Sequence, residues 1–423
     1  MIIKNANIYT ESKVFQKGEL CIQDGKFSNQ TTEPTVLDAQ GCYAIPGLID
    51  LHLHGCAGHD LCDGTLASLT SIAEYEAAAG ITAICPATMT LPKQELLDIL
   101  RTAGEYQKLS QEQSASKGAD LVGINMEGPF ISSAKKGAQD PQHIVSCSVE
   151  TAREFIDASN GLVKLIGIAP ECNPDFASFI TQLKGQIHIS LAHTNADYAT
   201  AMAAFDAGAD HAVHLYNAMP AFTHRAPGVI GAVCDSPHVY AELICDGIHI
   251  HPSVVRATLR MLGTDRIVFI SDSMRATGMP DGSYTLGGLD VNVKNKKATL
   301  ASDGAIAGSA SNLVECVKTA VTQMDIPLET AVACATINPA KRLGIFQERG
   351  SISVGKKADL VLLDDSLQVQ AVIKDGMLYV DYDTLKEVFN SRFYWDTNEN
   401  LLLYTTPSDV ISAPASGKEY YIT

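Results

Sequence analysis

Two histidines two residues apart, His52 and His54, stand in the segment LIDLHLHG, which follows a Pro-Gly pair. Leu51 and Leu53 alternate with them, and this alternation predicts a strand with both imidazoles on one face. Two imidazoles at positions i and i+2 of one strand face can reach a single metal ion. Because a lone H-x-H pair also arises by chance, its meaning depends on the rest of the chain.

Four further side chains of ligand or proton-transfer type stand at or near the ends of apolar runs: Glu127, His193, His214 and Asp272. Neutral imidazoles with a carboxylate suit Zn²⁺ or Fe²⁺ and leave a coordination position for a water molecule. Taken singly, each histidine also fits a hydrogen-bonded core residue, and Glu127 fits a salt bridge. Their joint placement at predicted strand ends favours a metal site.

Asp272 lies in VFISDSM, where an apolar run ends in one carboxylate. Beside a metal-held water, such a group can take a proton and later return it to a leaving group. An aspartate that caps the following helix fits the same local sequence. Both roles for Asp272 remain open at this point.

Apolar runs of strand length recur through the middle of the chain and alternate with helical stretches such as 66–79 and 196–207, which Gly80 and Gly208 follow. We count eight such runs, at 48–54, 81–87, 121–127, 162–169, 187–193, 211–217, 239–246 and 266–272. Eight strand-helix units predict an α/β fold, a (β/α)8 TIM-like barrel. The active site of such a barrel lies at the carboxyl ends of its strands. His211, which begins its run, is interpreted as structural.

Both ends of the chain differ from the middle. The segments 1–47 and 350–380 contain short strands and Asp-Gly turns, which predicts a small β-sandwich domain formed by both ends around a catalytic barrel at 48–349. Residues 381–423 form an aromatic-rich extension, with a predicted short helix at 384–390 and a hairpin made of RFYW and LLLYTT. The stretch 407–423 has the composition of a disordered segment.

The overall composition excludes several classes of partner. The net charge of −17 argues against nucleic acid and anionic membrane surfaces. No run of about 18 apolar residues predicts a spanning helix, and the N-terminus has no signal-peptide pattern. The eleven cysteines are scattered without C-x-x-C pairs, which is typical of a reduced, cytoplasmic protein. An anionic substrate would need local positive charge, for which Arg225 and His249 are candidates.

The motifs together resemble those of the N-acetylglucosamine-6-phosphate deacetylases of the amidohydrolase superfamily. The matching segments occur in order from about residue 40 to 360, through the predicted barrel and both halves of the β domain. They read PGLIDLHLHG, NMEGPFI, KKGAQ, LAHTNA, HAVHLYNAMP, HRAPGVIGA, ICDGIHIHP, FISDSMRATGMPDG, GAIAGSA and TINPAKRLG.

The resemblance implies a role for each matched residue. Glu127, His193 and His214 match the family's metal ligands, and His52 with His54 match members that bind a second divalent metal, so one or two ions per subunit are expected. Asp272 matches the family's acid/base residue. The matched substrate contacts are Ala138, Asn217, Ala218, Arg225, His249, Ile306, Ala307 and Gly308. In relatives the arginine and histidine reach the phosphate bound by the neighbouring subunit, which implies a homodimer.

Gln139 departs from the resemblance, because many members carry a histidine there that polarises the acetamide carbonyl. A glutamine amide can donate a hydrogen bond to a developing oxyanion but brings no positive charge. We therefore expect Gln139 to act as an oxyanion donor and the metal to contribute more of the polarisation.

The sequence thus predicts a metal-dependent hydrolase that removes the N-acetyl group of N-acetylglucosamine 6-phosphate. Two alternatives remain. The substrate could be the galactosamine epimer, or the barrel could be a catalytically silent phosphosugar-binding protein.

Overall fold

The computed structural model describes residues 1–112 and 118–379, together with three C-terminal strands, Arg392–Asp396, Leu401–Thr405 and Val410–Pro414. Within these residues, no helix combines the length and apolar character needed to cross a bilayer.

The middle of the chain forms a curled parallel sheet with helices, an α/β fold. One parallel sheet has seven strands, in the order Ala87–Thr88, Ile124–Phe130, Val163–Ile168, His188–Leu191, His211–Ala212, Tyr240–Ile244 and Ile267–Ile270. A second has three, in the order Asp120–Leu121, Ile81–Ile84 and Leu48–Asp50. Each of the eight predicted apolar runs overlaps at least one of these strands. Because the strands are parallel, the loops that follow them share one edge.

The strand boundaries near the site differ from the prediction. The first strand ends at Asp50, so His52 and His54 lie in the loop beyond it rather than on a strand face. Their backbone is held from outside the sheet: Asp272 N donates to His52 O at 2.9 Å, and His54 N donates to Ser273 O at 2.7 Å. Glu127 does not close its strand either, because Ile124–Phe130 continues past it and pairs with Val163–Ile168.

Helices follow most of the parallel strands, and side-chain caps define where several begin. Helix Leu66–Ala78 starts after Thr65, whose Oγ1 accepts the N–H of Ser68. Helix Tyr198–Ala207 ends at Gly208, which has a φ of 120°, and the sequence had indicated a helix end at this glycine. The other helices are Lys93–Glu112, Val149–Ala158, Phe176–Leu183, Gly228–Asp235, Pro252–Leu262, Leu313–Met324, Leu328–Ala335 and Ile337–Arg342.

Both ends of the chain build one eight-stranded sheet. Its path runs Met377–Tyr379, Val369–Lys374, Leu360–Leu363, Tyr43–Pro46, Ile2–Tyr9, Phe15–Gln23 and Lys26–Ser28, with Val36–Asp38 also paired to Ile2–Tyr9. Ile3, Ile22 and Ile373 belong to its own buried cluster. The hydroxyl of Tyr9 donates to the carbonyl of Glu329 at 2.7 Å and thereby ties this sheet to a helix of the α/β part.

Two features were not predicted. Residues 282–300 form a three-stranded antiparallel sheet, Gly282–Leu286, Leu289–Lys294 and Lys297–Leu300, between the last parallel strand and the helix Leu313–Met324. Near the C-terminus, Arg392–Asp396 and Leu401–Thr405 pair as the predicted hairpin, but Val410–Pro414 adds a third strand where disorder was expected. Its β-branched Val410 and Ile411 favour a strand. The predicted helix at 384–390 lies outside the described residues.

A buried ionic cluster joins the three-stranded parallel sheet to the sheet built from the chain ends. Asp120, on the parallel sheet, accepts from Lys374 at 2.9 Å, from Lys357 at 3.0 Å and from Arg349. Lys374 belongs to the sheet built from the chain ends, and its side chain is only 3% exposed. Burial alone would raise the pKa of Asp120, but Arg349 and Lys374 hold it well below its usual range. Asp120 is therefore ionised and shares the neutralisation of these buried cations with Asp375, which pairs with Lys374, and with Asp359, which lies 3.5 Å from Arg349.

We predict that Asp120→Asn lowers the free energy of unfolding by roughly 2–4 kcal/mol at pH 7, because it leaves buried cations short of a carboxylate. A carboxyl whose pKa is lowered on folding stabilises above its unfolded pKa, about 4, and loses that contribution as the pH falls further. In urea unfolding, the difference from the wild type should therefore shrink below about pH 4. Asp98→Asn, in an exposed pair with Arg101, is the control and should leave unfolding essentially unchanged. Equal unfolding curves for Asp120→Asn and the wild type at pH 7 would contradict this role.

Candidate metal centre

The carboxylate of Glu127 lies between four imidazole rings. Its Oε1 atom is 2.7 Å from Nε2 of His214 and 3.1 Å from Nε2 of His193. The same oxygen is 3.5 Å from Nε2 of His52, and Oε2 is 3.4 Å from Nε2 of His54. All five side chains are buried. The structure therefore brings together the five residues predicted to be metal ligands.

Asp272 completes the cluster, with Oδ1 at 3.3 Å from Nε2 of His54 and 3.6 Å from Nε2 of His52. Two sets of ligand atoms result, each with all its atoms within 4.8 Å of one another. The glutamate group consists of Glu127, His193 and His214, and the aspartate group consists of His52, His54 and Asp272.

The spacing of these atoms fits a metal ion. Ligand atoms at the 2.0–2.1 Å typical of zinc lie about 3.3 Å apart around a tetrahedron. Most of the nitrogen–oxygen distances, from 3.1 to 3.6 Å, are close to that value and longer than a normal charge-assisted hydrogen bond. Nε2 of His52 is a buried nitrogen without a hydrogen-bond partner, which is the condition of an atom positioned for a cation.

Three of the four imidazoles have a partner on the other ring nitrogen, whereas Nδ1 of His214 is buried without a hydrogen-bond partner. Nδ1 of His193 lies 2.8 Å from the carbonyl of Lys135, and Nδ1 of His54 lies 3.2 Å from that of Ala87. Nδ1 of His52 lies 2.9 Å from Oε2 of Glu242. A carbonyl or carboxylate in this position fixes the tautomer and leaves Nε2 free to bind a metal.

Glu242 is a site residue that sequence reasoning missed. It is fully buried, and its Oε2 also accepts the backbone N–H of His214 at 2.9 Å. Its Oε1 lies 2.8 Å from Nε2 of His211, so the histidine interpreted as structural connects to the site through this carboxylate. The available signal was one charged residue inside an otherwise apolar strand, Tyr240–Ile244.

The charges of the cluster call for a cation at its centre. Burial would lower the pKa of His52, but Glu242 and Glu127 outweigh it and raise that pKa to about 9. Burial would likewise raise the pKa of Glu127, yet the neighbouring imidazoles, His193 foremost, hold it well below its usual range. A divalent metal would balance the carboxylates in place of these protons and bind to neutral imidazoles.

The backbone is unusual at three of these residues. His193, His214 and Asp272 have φ values of 44°, 25° and 51°, in the left-handed region that residues with a Cβ rarely adopt. Such conformations concentrate at functional sites, where the surrounding structure maintains them. Gly137 (φ 52°) passes close above His193, where a Cβ would lie 3.2 Å from its ring. These constraints fix the ring directions before any ligand binds.

Asp272 is not a helix cap in this structure, since the next helix, Leu313–Met324, is capped by Asn312. Burial would raise the pKa of Asp272, but His54 and His52 hold it below its usual range. The carboxylate therefore faces the imidazoles in its ionised form, as a proton acceptor must. The geometry favours the proton-transfer role over the capping role for Asp272.

The predicted substrate residues lie around the cluster to different degrees. The segment of Ile306, Ala307 and Gly308 leads into Ser309, whose N–H donates to Asp272 O at 2.7 Å. The carbonyl of Ala218 accepts from the N–H of Thr194 at 3.1 Å, next to His193, and Asn217 precedes it.

The remaining candidate substrate residues are His249, Ala138 and Arg225. Nδ1 of His249 lies 2.7 Å from Asp246, which, like Glu242, was not identified from the sequence. Ala138 is buried beside Gln139. Arg225 is exposed and has no hydrogen bond or ion pair to any residue in the described part of the chain, so its role stays a prediction.

Gln139 is buried against the ligands and differs from its predicted surroundings. Its Nε2 atom donates to Oε2 of Glu127 at 2.6 Å, and its Oε1 accepts the backbone N–H of Thr90, also at 2.6 Å. The amide that was expected to face a substrate oxyanion therefore faces a metal ligand.

Comparison with known proteins identifies the family of this chain. The sequence matches the profile of the Amidohydrolase family over residues 43–379. It is 36% identical over 384 residues to the N-acetylglucosamine-6-phosphate deacetylase of Bacillus subtilis (strain 168), covering 89% of this chain and 96% of the relative. It is 32% identical over 380 residues to the N-acetylgalactosamine-6-phosphate deacetylase of Escherichia coli O157:H7, covering 89% and 98%.

A solved structure gives the same result at the level of the fold. The N-acetyl-D-glucosamine-6-phosphate deacetylase of Mycobacterium smegmatis, as an Asp-to-Ala mutant in complex with N-acetyl-D-glucosamine-6-phosphate, superposes with a TM-score of 0.82. Its sequence identity is 30%, and the match covers 90% of this chain and 99% of that one.

We predict that Glu242→Gln weakens Zn²⁺ binding by about 10- to 100-fold, as is usual when a group that orients a ligand is lost. A glutamine cannot accept hydrogen bonds from both His52 and His211, because one of its two terminal atoms is a donor. Competition with a chromophoric chelator measures the affinity. Glu76→Gln, at another fully buried glutamate, is the matched control and should bind zinc as the wild type does. Equal zinc affinity in Glu242→Gln would contradict the orienting role.

Proposed function

The chain belongs to the amidohydrolase family, and from that premise we propose that it hydrolyses the N-acetyl group of N-acetylglucosamine 6-phosphate. The products are glucosamine 6-phosphate and acetate. One observation carries the proposal: the buried Glu127 carboxylate lies within 3.5 Å of four imidazole nitrogens, at the edge of a parallel sheet where such enzymes bind their substrates. The Bacillus subtilis relative, which bears this activity in its name, covers nearly the same length.

We propose that the glutamate group holds a divalent metal, Zn²⁺ or Fe²⁺, and that the aspartate group can hold a second one. The ligand types favour these ions, since imidazole and carboxylate suit both. A bound metal supplies Lewis-acid polarisation of the acetamide carbonyl and lowers the pKa of a water molecule. The glutamate group would bind a metal first. Asp272 is also needed for proton transfer, which leaves the aspartate group with two dedicated ligands, His52 and His54.

Asp272 moves the proton in this scheme. Its ionised carboxylate takes one proton from the attacking water as the new carbon–oxygen bond forms. It then gives that proton to the amine nitrogen as the carbon–nitrogen bond breaks, so acetate and the free amine leave.

We propose that the sugar binds among the loops that follow the strands, against Ala138, Asn217 and Ala218, and against Ile306, Ala307 and Gly308. Asp246 orients His249 and also accepts from Ser309, next to Gly308, at 3.2 Å. His249 and the exposed Arg225 would bind the phosphate held by a neighbouring subunit, and the protein would then act as a homodimer.

The finer architecture is also a proposal. Closure into a (β/α)8 barrel at 48–349 is supported by the hydrogen bonds of Asp272 and Ser273 to the loop after the first strand. The sheet built from 1–47 and 350–380 would form a separate β-sandwich domain, and 381–423 an extension. The eleven cysteines, all within the described residues, are unpaired, which supports a reduced cytoplasmic setting.

The galactosamine epimer is the second candidate substrate, because the Escherichia coli relative named for it is 32% identical over 89% of this chain. Turnover of both epimers by the same preparation separates the two. A kcat/KM higher for the galactosamine compound would reverse the assignment.

We predict chelator-sensitive acetate release from N-acetylglucosamine 6-phosphate, restored when zinc or ferrous ion is added back.

Asp272→Asn should lower kcat by about 10²- to 10⁴-fold because the amide cannot take up the water's proton. The variant should still bind zinc through the glutamate group. Asp290→Asn, on an exposed strand position, is the control. Full turnover by zinc-loaded Asp272→Asn would remove the assigned role, and a wild type that binds both phosphosugars without releasing acetate would indicate a silent binding protein.

A further inference from the structure

We propose that Gln139 is a positioning residue that fixes the rotation of the Glu127 carboxylate, and that it offers no hydrogen bond to the substrate carbonyl. The effect expected on kcat rests on the hydrolysis proposed above. The effect expected on zinc affinity depends only on the geometry of the cluster.

The orientation of the Gln139 amide is fixed by a backbone donor. The N–H of Thr90 lies 2.6 Å from one terminal atom of Gln139, and an N–H can only donate, so that atom must be the oxygen. The nitrogen of the amide therefore points the other way, toward Glu127. An inverted amide would place two donors against each other at Thr90.

Both hydrogens of the Gln139 nitrogen have acceptors within the protein. One is donated to Oε2 of Glu127 at 2.6 Å, and the other is directed at the sulfur of Met89 at 3.7 Å. The side chain is 1% exposed. A bond from this nitrogen to the acetamide oxygen would leave a buried, ionised carboxylate oxygen without its strongest donor.

The bond to Glu127 decides which way each carboxylate oxygen faces. Gln139 holds Oε2 on the side of His54, and Oε1 then lies toward His193 and His214. Oε2 thereby faces only His54 of the aspartate group, whereas Oε1 faces both histidines of the glutamate group and also lies 3.5 Å from Nε2 of His52. Rotation of the carboxylate out of this plane would disturb both groups at once, because a single side chain supplies both oxygens.

The test is Gln139→Met, a substitution of similar length that removes the amide. We expect the affinity for Zn²⁺, measured by chelator competition without substrate, to fall by about 10- to 100-fold. When zinc is supplied at saturation, kcat for acetate release should return to within about threefold of the wild type, because no substrate contact has been lost.

Met89→Leu is the matched control, since it removes the sulfur acceptor next to Gln139 but keeps the bond to Glu127. It should bind zinc as the wild type does. An oxyanion donor at Gln139 predicts the opposite pattern: unchanged zinc affinity and a kcat lowered by about 10²- to 10³-fold that excess zinc does not restore. That pattern would overturn the proposal.

A second measurement needs no change at Gln139. In a crystal structure of zinc-loaded Asp272→Asn with N-acetylglucosamine 6-phosphate, Nε2 of Gln139 should remain about 3 Å from Oε2 of Glu127. A nitrogen that has turned to the acetamide oxygen would overturn the proposal. If the wild type releases no acetate, the zinc affinities still test the positioning role, so the two failures are distinguishable.

Discussion

The structure depends on one buried carboxylate. Glu127 is ionised in the interior, where an uncompensated charge is costly, and its two oxygens therefore need partners on every side. Four imidazoles and the amide of Gln139 supply them, and they come from four loops that follow parallel strands. A fold that failed to bring these segments together would leave the charge unpaired. The same arrangement makes a cation at the centre favourable, because protons or a metal must balance the carboxylates.

Support for the cluster extends outward in layers. Glu242 orients His52 and ties it to His211 deeper in the sheet, while backbone carbonyls orient His54 and His193. The left-handed backbone at His193 and His214 costs conformational energy that the hydrogen-bonded surroundings must offset. These outer contacts keep the rings in place before a ligand arrives, so binding of a metal requires little rearrangement.

The sequence predicted the parallel strands well because burial on both faces leaves near-continuous apolar runs, such as the one that contains Ile267–Ile270. It predicted that Glu127, His193 and His214 would meet because parallel strands place their carboxyl ends at one edge. The one charged residue of an apolar strand marked Glu242, but its partners His52 and His211 lie 190 and 31 residues away in the chain, and no local pattern indicates which residues it contacts. The end of the first strand at Asp50 was missed because alternation continues through His52 although the backbone leaves the sheet.

The most direct test of this account is the metal content and acetate release of Glu127→Gln. The account predicts a folded protein that holds no zinc after dialysis and releases no acetate from N-acetylglucosamine 6-phosphate, because the neutral amide can neither balance the cation nor serve both ligand groups. The far-ultraviolet circular dichroism of the variant should match the wild type and confirm folding. A Glu127→Gln protein that retains zinc and hydrolyses the substrate at the wild-type rate would contradict the central role of this carboxylate.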